Sequence, residues 1–129
     1  MKLVVGIVRP ERLEAVKEAL GEAKVFRLTV SDVQGFGKAN EADSASAGTS
    51  SGAQSRAAAA YAGQTNAPRL VRKVKLEIAV NENFVEPTVR AIALAAKLDG
   101  GQPGDGKVLV LPLEECVRIR TGERGPEAI

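Results

Sequence analysis

The chain has 129 residues, the length of a single domain, which rules out a two-domain enzyme. It contains no histidine, so Ser/His and Cys/His nucleophile pairs and most zinc sites are excluded, and its one cysteine, Cys116, has no internal partner for a disulfide. Eighteen basic against sixteen acidic residues leave a net charge of +2, far from the footprint of a nucleic-acid binder, and Phe26, Phe36, Phe84 and Tyr61 are too few aromatics for a base-stacking platform.

The opening run Leu3 to Val8 is continuously apolar and rich in valine, which predicts a buried strand. It is too short for a signal peptide, and no stretch approaches the ~20 apolar residues that cross a bilayer, so a cytoplasmic protein is expected. Pro10 opens a helix, where its missing N–H costs nothing, and Leu13, Val16, Ala19 and Leu20 form its apolar stripe. Phe26, Leu28 and Val30 alternate with polar residues as far as Val33, the pattern of a half-buried second strand. Val74, Leu76, Ile78 and Val80 alternate with Lys73, Lys75, Glu77 and Ala79 in a third. Val85, Val89, Ile92, Ala93 and Ala96 predict a second helix with Pro87 in its first turn. Lys107 to Leu111 is a fourth strand, and Val117 to Arg120 a short fifth. The order is βαββαβ, the signature of a ferredoxin-like α/β (α+β) sandwich with helices on one sheet face and the other face open to a ligand or a subunit.

From Lys38 to Pro68 the chain contains no Val, Ile, Leu or Phe, so this segment adds nothing to a core. An excursion of that length within a compact domain is expected to be functional, and Ala57 to Tyr61 to form a helical turn when docked.

Three places can hold an anion. Gly104-Asp105-Gly106-Lys107 is a tight turn whose glycines let backbone N–H groups approach a phosphate while Lys107 supplies charge. Arg118 and Arg120, two apart on the expected fifth strand, leave one face and can clamp phosphate oxygens. At the exit of the second strand, Gly35-Phe36-Gly37-Lys38 is a third point of close backbone approach. No catalytic constellation and no metal site stands out.

Taken together with the opening Met1-Lys2-Leu3-Val4, with Lys73 to Ile78, and with Arg118-Ile119-Arg120-Thr121-Gly122-Glu123, these features resemble the PII signal-transduction proteins across nearly the whole chain except the long insert. The resemblance implies one PII-like domain over residues 1–129, with the family's T-loop at 38–68, its B-loop at 99–107 and a C-terminal loop region at 117–129. It implies a homotrimer that binds ADP, AMP or ATP in clefts between subunits, as an effector and not a cofactor. Thr29 and the backbone near Ala79 would meet the adenine and Glu77 the ribose; Gly35, Gly37, Lys38, Gly104 to Lys107, and Arg118 and Arg120 of the neighbouring chain would hold the phosphates. The T-loop would reach a transporter or enzyme target.

One departure steers the functional expectation. Nitrogen-sensing members carry a glutamine, which helps to hold the magnesium chelated by 2-oxoglutarate, where this chain has Ala39; a methyl group offers no oxygen to a hard cation. The expectation is therefore a regulator of inorganic carbon metabolism or transport, of the kind associated with carboxysomes, with bicarbonate held by backbone N–H groups at Gly37, Lys38 and Ala39. The alternatives are a conventional nitrogen regulator acting on an ammonium channel or nitrogen-assimilation enzyme, an ATP-hydrolysing or phosphotransfer enzyme built on Asp105, Lys107, Arg118 and Arg120, and an RNA-binding ferredoxin-like domain, which the charge and aromatic counts disfavour.

Overall fold

The computed structural model describes residues 1–38 and 68–129, with the side chain of Lys38 outside that description. Its elements are β1 (Lys2–Val8), α1 (Leu13–Glu22), β2 (Thr29–Lys38), β3 (Pro68–Val80), α2 (Glu82–Ala96) and β4 (Gly106–Pro112), with 3-10 turns at Pro10–Arg12 and Gly125–Ala128. The four strands form one antiparallel sheet in the order β2-β3-β1-β4, the expected ferredoxin-like arrangement.

Alternation of side chains across β1 and β3 sends Val4, Val8, Val74, Leu76, Ile78 and Val80 to the helix-covered face. There they meet Val16 and Leu20 of α1 and Ile92 and Ala96 of α2. Gly6 sits opposite Ile92 because a Cβ at that position would lie 3.2 Å from the isoleucine Cγ2, so the helix approaches β1 over a residue without a side chain. Arg12 donates from Nε and Nη2 to the Ala95 carbonyl at 2.9 and 2.6 Å, satisfying an acceptor in the last turn of α2 that no intrahelical N–H reaches.

Four expectations from the sequence change. The second strand begins at Thr29, and Phe26 and Val30, read as its inward side chains, are 72% and 42% exposed: β2 is a sheet edge whose neighbour is β3, and no helix covers it. β2 and β3 also pair beyond the end of β1, from Val33↔Lys73 to Lys38↔Pro68, so Gly35 to Lys38 belong to a two-stranded ribbon and are not an exit loop. Pro87 lies inside α2, past its first turn; Thr88 takes a buried place on the helix and donates to the Phe84 carbonyl at 2.7 Å, while Ala93 is exposed. Val117 to Arg120 is no strand. Val117 makes a single bridge to Arg124 and the residues between them turn back. Ala39, Ala57 to Tyr61 and all but the ends of the 38–68 segment lie outside the described residues.

The open sheet face carries Leu3, Val5 and Ile7 of β1 beside Leu109 and Leu111 of β4, the last two 45% and 42% exposed. Among the described residues, no helix is long and apolar enough to cross a membrane. Because Leu76 is completely buried between both helices and the sheet, Leu76→Ala should lower unfolding free energy by about 2–5 kcal/mol with an unchanged urea m-value, measured by denaturant titration.

Candidate functional site

Arg9 follows β1 directly, a charge at the close of an apolar run and immediately before Pro10. Its side chain is 2% exposed. A guanidinium cannot shed its charge, so burial demands partners: Glu11 lies 3.9 Å from Nε, and the hydrogen-bonded ones come from the loop before β4. Nη1 donates to Asp105 Oδ1 in a close ion pair and Nη2 donates to the Pro103 carbonyl at 2.8 Å. Asp105 also accepts from the backbone N–H of Gln102 at 2.8 Å and of Leu98 at 3.3 Å. From the other side, Lys73 Nζ on β3 donates to the Gly104 carbonyl at 2.8 Å. The Gly104 to Lys107 turn is thus held by two cations from two strands.

Gly106 has φ +115, and a Cβ there would sit 1.9 Å from the Ile7 carbonyl oxygen, so only glycine lets β4 enter the sheet at this point. Gly37 is different: among the described residues a Cβ there would meet nothing within 4 Å. Lys107 is exposed, opposite Ile7 in the β1–β4 register, with its strand passing over a cleft of about 230 Å³ floored by Val8, Ile92 and Ala96.

Thr29, Glu77 and Ala79 gather elsewhere. Thr29 pairs with Glu77 in the β2–β3 register, and with Ala79 they line a cleft of about 480 Å³ whose other walls include Phe26, Cys116, Ala128 and Ile129. Glu77 is paired with Lys75 at 3.4 Å. A second cleft of about 320 Å³ shares Phe26, Arg27, Ala79 and Ile129 and continues to Asn81 and Phe84. Arg118 lies with the residues that close this end of the sheet, bonded to Glu123 and to the carbonyls of Glu127 and Ile129. The loss of the fifth strand removes the reason for placing Arg118 and Arg120 on one face; Arg118 is tied down and Arg120 is exposed.

The expected site residues therefore fall into two groups in one chain. Gly35, Gly37, Lys73 and Gly104 to Lys107 occupy the end where β2 and β3 project; Thr29, Glu77, Ala79 and Arg118 occupy the other. Between Lys73 and Ala79 on β3 lie about 20 Å of strand at ~3.3 Å per residue. Arg9 and Phe26 escaped the sequence reading as site residues. A lone charge closing an apolar strand before proline was the available signal for Arg9; Phe26 had none, because its alternation with Arg27 and Leu28 reads as ordinary strand. Among the described residues, no cluster of His, Cys, Asp or Glu is arranged to hold a metal ion.

Partial burial pushes the Asp105 carboxyl up, but the N–H donors of Gln102 and Leu98 and the Arg9 guanidinium outweigh it and hold the group below the usual carboxylate range. A group depressed on folding stabilises above its unfolded pKa of about 4 and loses that contribution as pH falls through the lowered folded value. Asp105→Asn should thus melt below the wild type at pH 7, and the gap should close on acidification from about pH 4 downward, followed by circular dichroism. Gly106→Ala should lower stability by at least about 2 kcal/mol in the same assay, since strained backbone and a clash with Ile7 coincide.

Comparison with known proteins bears on the whole chain. The family model described as Nitrogen regulatory protein P-II matches residues 1–123. The chain is 46% identical over 129 residues to the nitrogen regulatory protein GlnK1 of Methanosarcina mazei, covering all of this chain and 97% of that protein. It is 37% identical to each of the nitrogen regulatory proteins P-II of Nostoc punctiforme and Azospirillum brasilense, with both chains covered completely in each case.

Proposed function

The chain belongs to the P-II nitrogen regulatory protein family, and from that premise we propose that it is a nitrogen-regulatory signalling protein whose effector is an adenine nucleotide, bound between neighbouring copies of a homotrimer. The observation that carries this reading is the separation of the expected ligand groups to opposite ends of one sheet, with an apolar face between them. One chain cannot close both groups around one nucleotide. Two copies can, if Thr29, Glu77, Ala79 and the arginine segment of one face Gly35, Gly37, Lys38 and Gly104 to Lys107 of the next. In this arrangement the adenine and the arginines come from the same copy, and the glycine-rich turn with Lys107 from its neighbour. Leu3, Val5, Ile7, Leu109 and Leu111 are the apolar surface through which copies would meet.

β2 and β3 pair out to Lys38 and Pro68, the residues that flank the 39–67 segment in the sequence, and Lys73 ties the base of that ribbon to the Gly104 turn. Occupancy of the turn is in this way coupled mechanically to the root of the segment that would touch a target, an ammonium channel or a nitrogen-assimilation enzyme. The protein is a regulator in this reading. Asp105, the acid on which a phosphotransfer alternative leaned, is engaged by Arg9 and two backbone N–H groups and serves as the organiser of the turn.

The names of the relatives favour the nitrogen-regulatory reading over the inorganic-carbon one. Ala39, with no oxygen for magnesium, keeps bicarbonate at Gly37, Lys38 and Ala39 as the second reading. Calorimetry separates them: 2-oxoglutarate whose binding depends on ATP and magnesium supports nitrogen sensing, whereas coupling of bicarbonate to the nucleotide with no response to 2-oxoglutarate supports the carbon reading. The assembly is tested with Leu109→Asp/Leu111→Asp. That variant should elute as a monomer and lose ATP binding together with assembly; a monomer that binds ATP as the wild type does would overturn the shared site. Lys107→Ala should weaken ATP by about tenfold or more, as expected for loss of a charged contact to phosphate, with AMP less affected.

A further inference from the structure

The turn that joins α1 to β2 forms a cleft with the end of β3 and the start of α2. Val25 and Val80, both buried, supply its floor; Lys24, Phe26 and Arg27 come from the turn, and Phe84 from the first turn of the helix. Its volume of about 320 Å³ falls at the lower end of the ~300–1,000 Å³ range of small-molecule pockets. Phe26, Arg27, Ala79 and Ile129 are shared with the Thr29–Glu77–Ala79 cleft, whereas Lys24, Asn81 and Phe84 belong to this one alone.

The lining is of two kinds. Phe26 is 72% exposed and Phe84 half-buried against the core, so two aromatic rings border the cavity. Lys24 and Arg27 are exposed at the same turn, and neither enters an ion pair or a side-chain hydrogen bond among the described residues. Glu82, the acid in the first turn of α2, is already engaged, with the Met1 ammonium at 3.2 Å and Lys2 Nζ at 4.0 Å. Two unopposed cations beside two rings select one kind of guest, because a neutral hydrocarbon leaves the cations unused and an inorganic anion leaves the rings bare. Lys24 also closes α1 at φ +63, a left-handed position usually given to glycine, and its N–H donates to the Gly21 carbonyl at 3.0 Å. Glycine can therefore take its place without loss at the helix end, which separates the role of the side chain from that of the backbone.

We propose that this cleft is a second ligand site, complete within one chain, for an aromatic anion: the ring lies against Phe26 and Phe84, and its carboxylate meets Lys24 and Arg27. The site goes beyond the nucleotide reading, since neither Thr29 and Glu77 nor a neighbouring copy takes part in it. Its guest stands beside the base cleft, across the wall made by Phe26, and does not take the place of the base.

The probe is 2-naphthoate, with naphthalene-2-methanol as its neutral match and cyclohexanecarboxylate as an anion without an aromatic ring, each titrated into the intact protein and followed by amide NMR shifts. 2-Naphthoate should bind with a Kd of about 1 mM or tighter, the range open to a fragment of its size, and shift the amides of residues 24–27 and 82–84. The two control compounds should each bind about threefold or more weakly. Lys24→Gly and Arg27→Ala should each weaken 2-naphthoate by about two- to fivefold, and Lys24→Gly should melt no lower than the wild type and bind AMP as the wild type does. Saturating AMP should leave the probe in place. Equal affinity for 2-naphthoate and its neutral match, unaltered affinity in Lys24→Gly, displacement of the probe by AMP, or no shift at residues 24–27 and 82–84, as when a neighbouring copy covers Phe26, overturns the proposal. A protein that binds 2-naphthoate at this cleft but not AMP overturns the nucleotide reading and leaves the second site standing.

Discussion

The arrangement depends on one buried guanidinium. Arg9 follows β1 at the point where the apolar core ends, and its buried charge is met by Asp105 and the Pro103 carbonyl, with Glu11 3.9 Å from its Nε. Meeting that demand fixes the whole 98–106 loop: Asp105 can face Arg9 only while it also accepts from Leu98 and Gln102, and Gly106 can then enter the sheet only without a side chain. A turn made mostly of glycine, aspartate and proline has little packing of its own. It acquires a single geometry because leaving Arg9 unpaired would be more costly than ordering the loop.

The same economy of support explains why β2 and β3 continue past the core. Once β1 ends at Val8, β2 and β3 continue as a pair with one another as ladder partners; along this part of β3 Val71 is buried and Leu70 half-buried, and Lys73 reaches back to the Gly104 carbonyl. The ribbon is thus braced at its root, a mechanical layout suited to passing a local change at the turn along the paired strands. At the opposite end Arg118 ties Glu123 to the carbonyls of Glu127 and Ile129, and Ile129 walls the cleft beside Phe26.

Some of this was legible from the residues. The alternation Val74, Leu76, Ile78, Val80 specifies which face of β3 meets the helices, since a slip of one residue would bury Lys75 and Glu77. The turn at Gly104 to Lys107 was likewise readable, because positive φ and a strand entry leave few alternatives to glycine. The ribbon was not. Gly35 and Gly37 have no side chains, and Leu70 and Val71 are adjacent between Arg69 and Arg72, so this stretch shows no apolar alternation to mark it as strand. Phe26 misled for the converse reason: its alternation with neighbours looks like burial, but it precedes the edge strand and stays 72% exposed beside Gly21 of α1 and the cleft it shares with Phe84. Val117 to Arg120 resembled a strand by composition, yet the glycines at 122 and 125 return the chain on itself before a ladder forms.

By itself the sequence determined the βαββαβ order, most of the helix-facing residues, the family, and the stretch 38–68 that has no Val, Ile, Leu or Phe. These are local properties: periodicity, turn chemistry and composition are written in neighbouring residues. Tertiary structure alone decided which of the charged residues are already occupied. Arg9 and Asp105 are 96 positions apart, Lys73 and Gly104 31 apart, and Arg118 closes a contact to Ile129 across 11, so no window along the chain contains both partners. It also decided that the groups proposed to bind the ligand stand at two ends of one sheet, because strand register, and not proximity in sequence, sets where a side chain arrives.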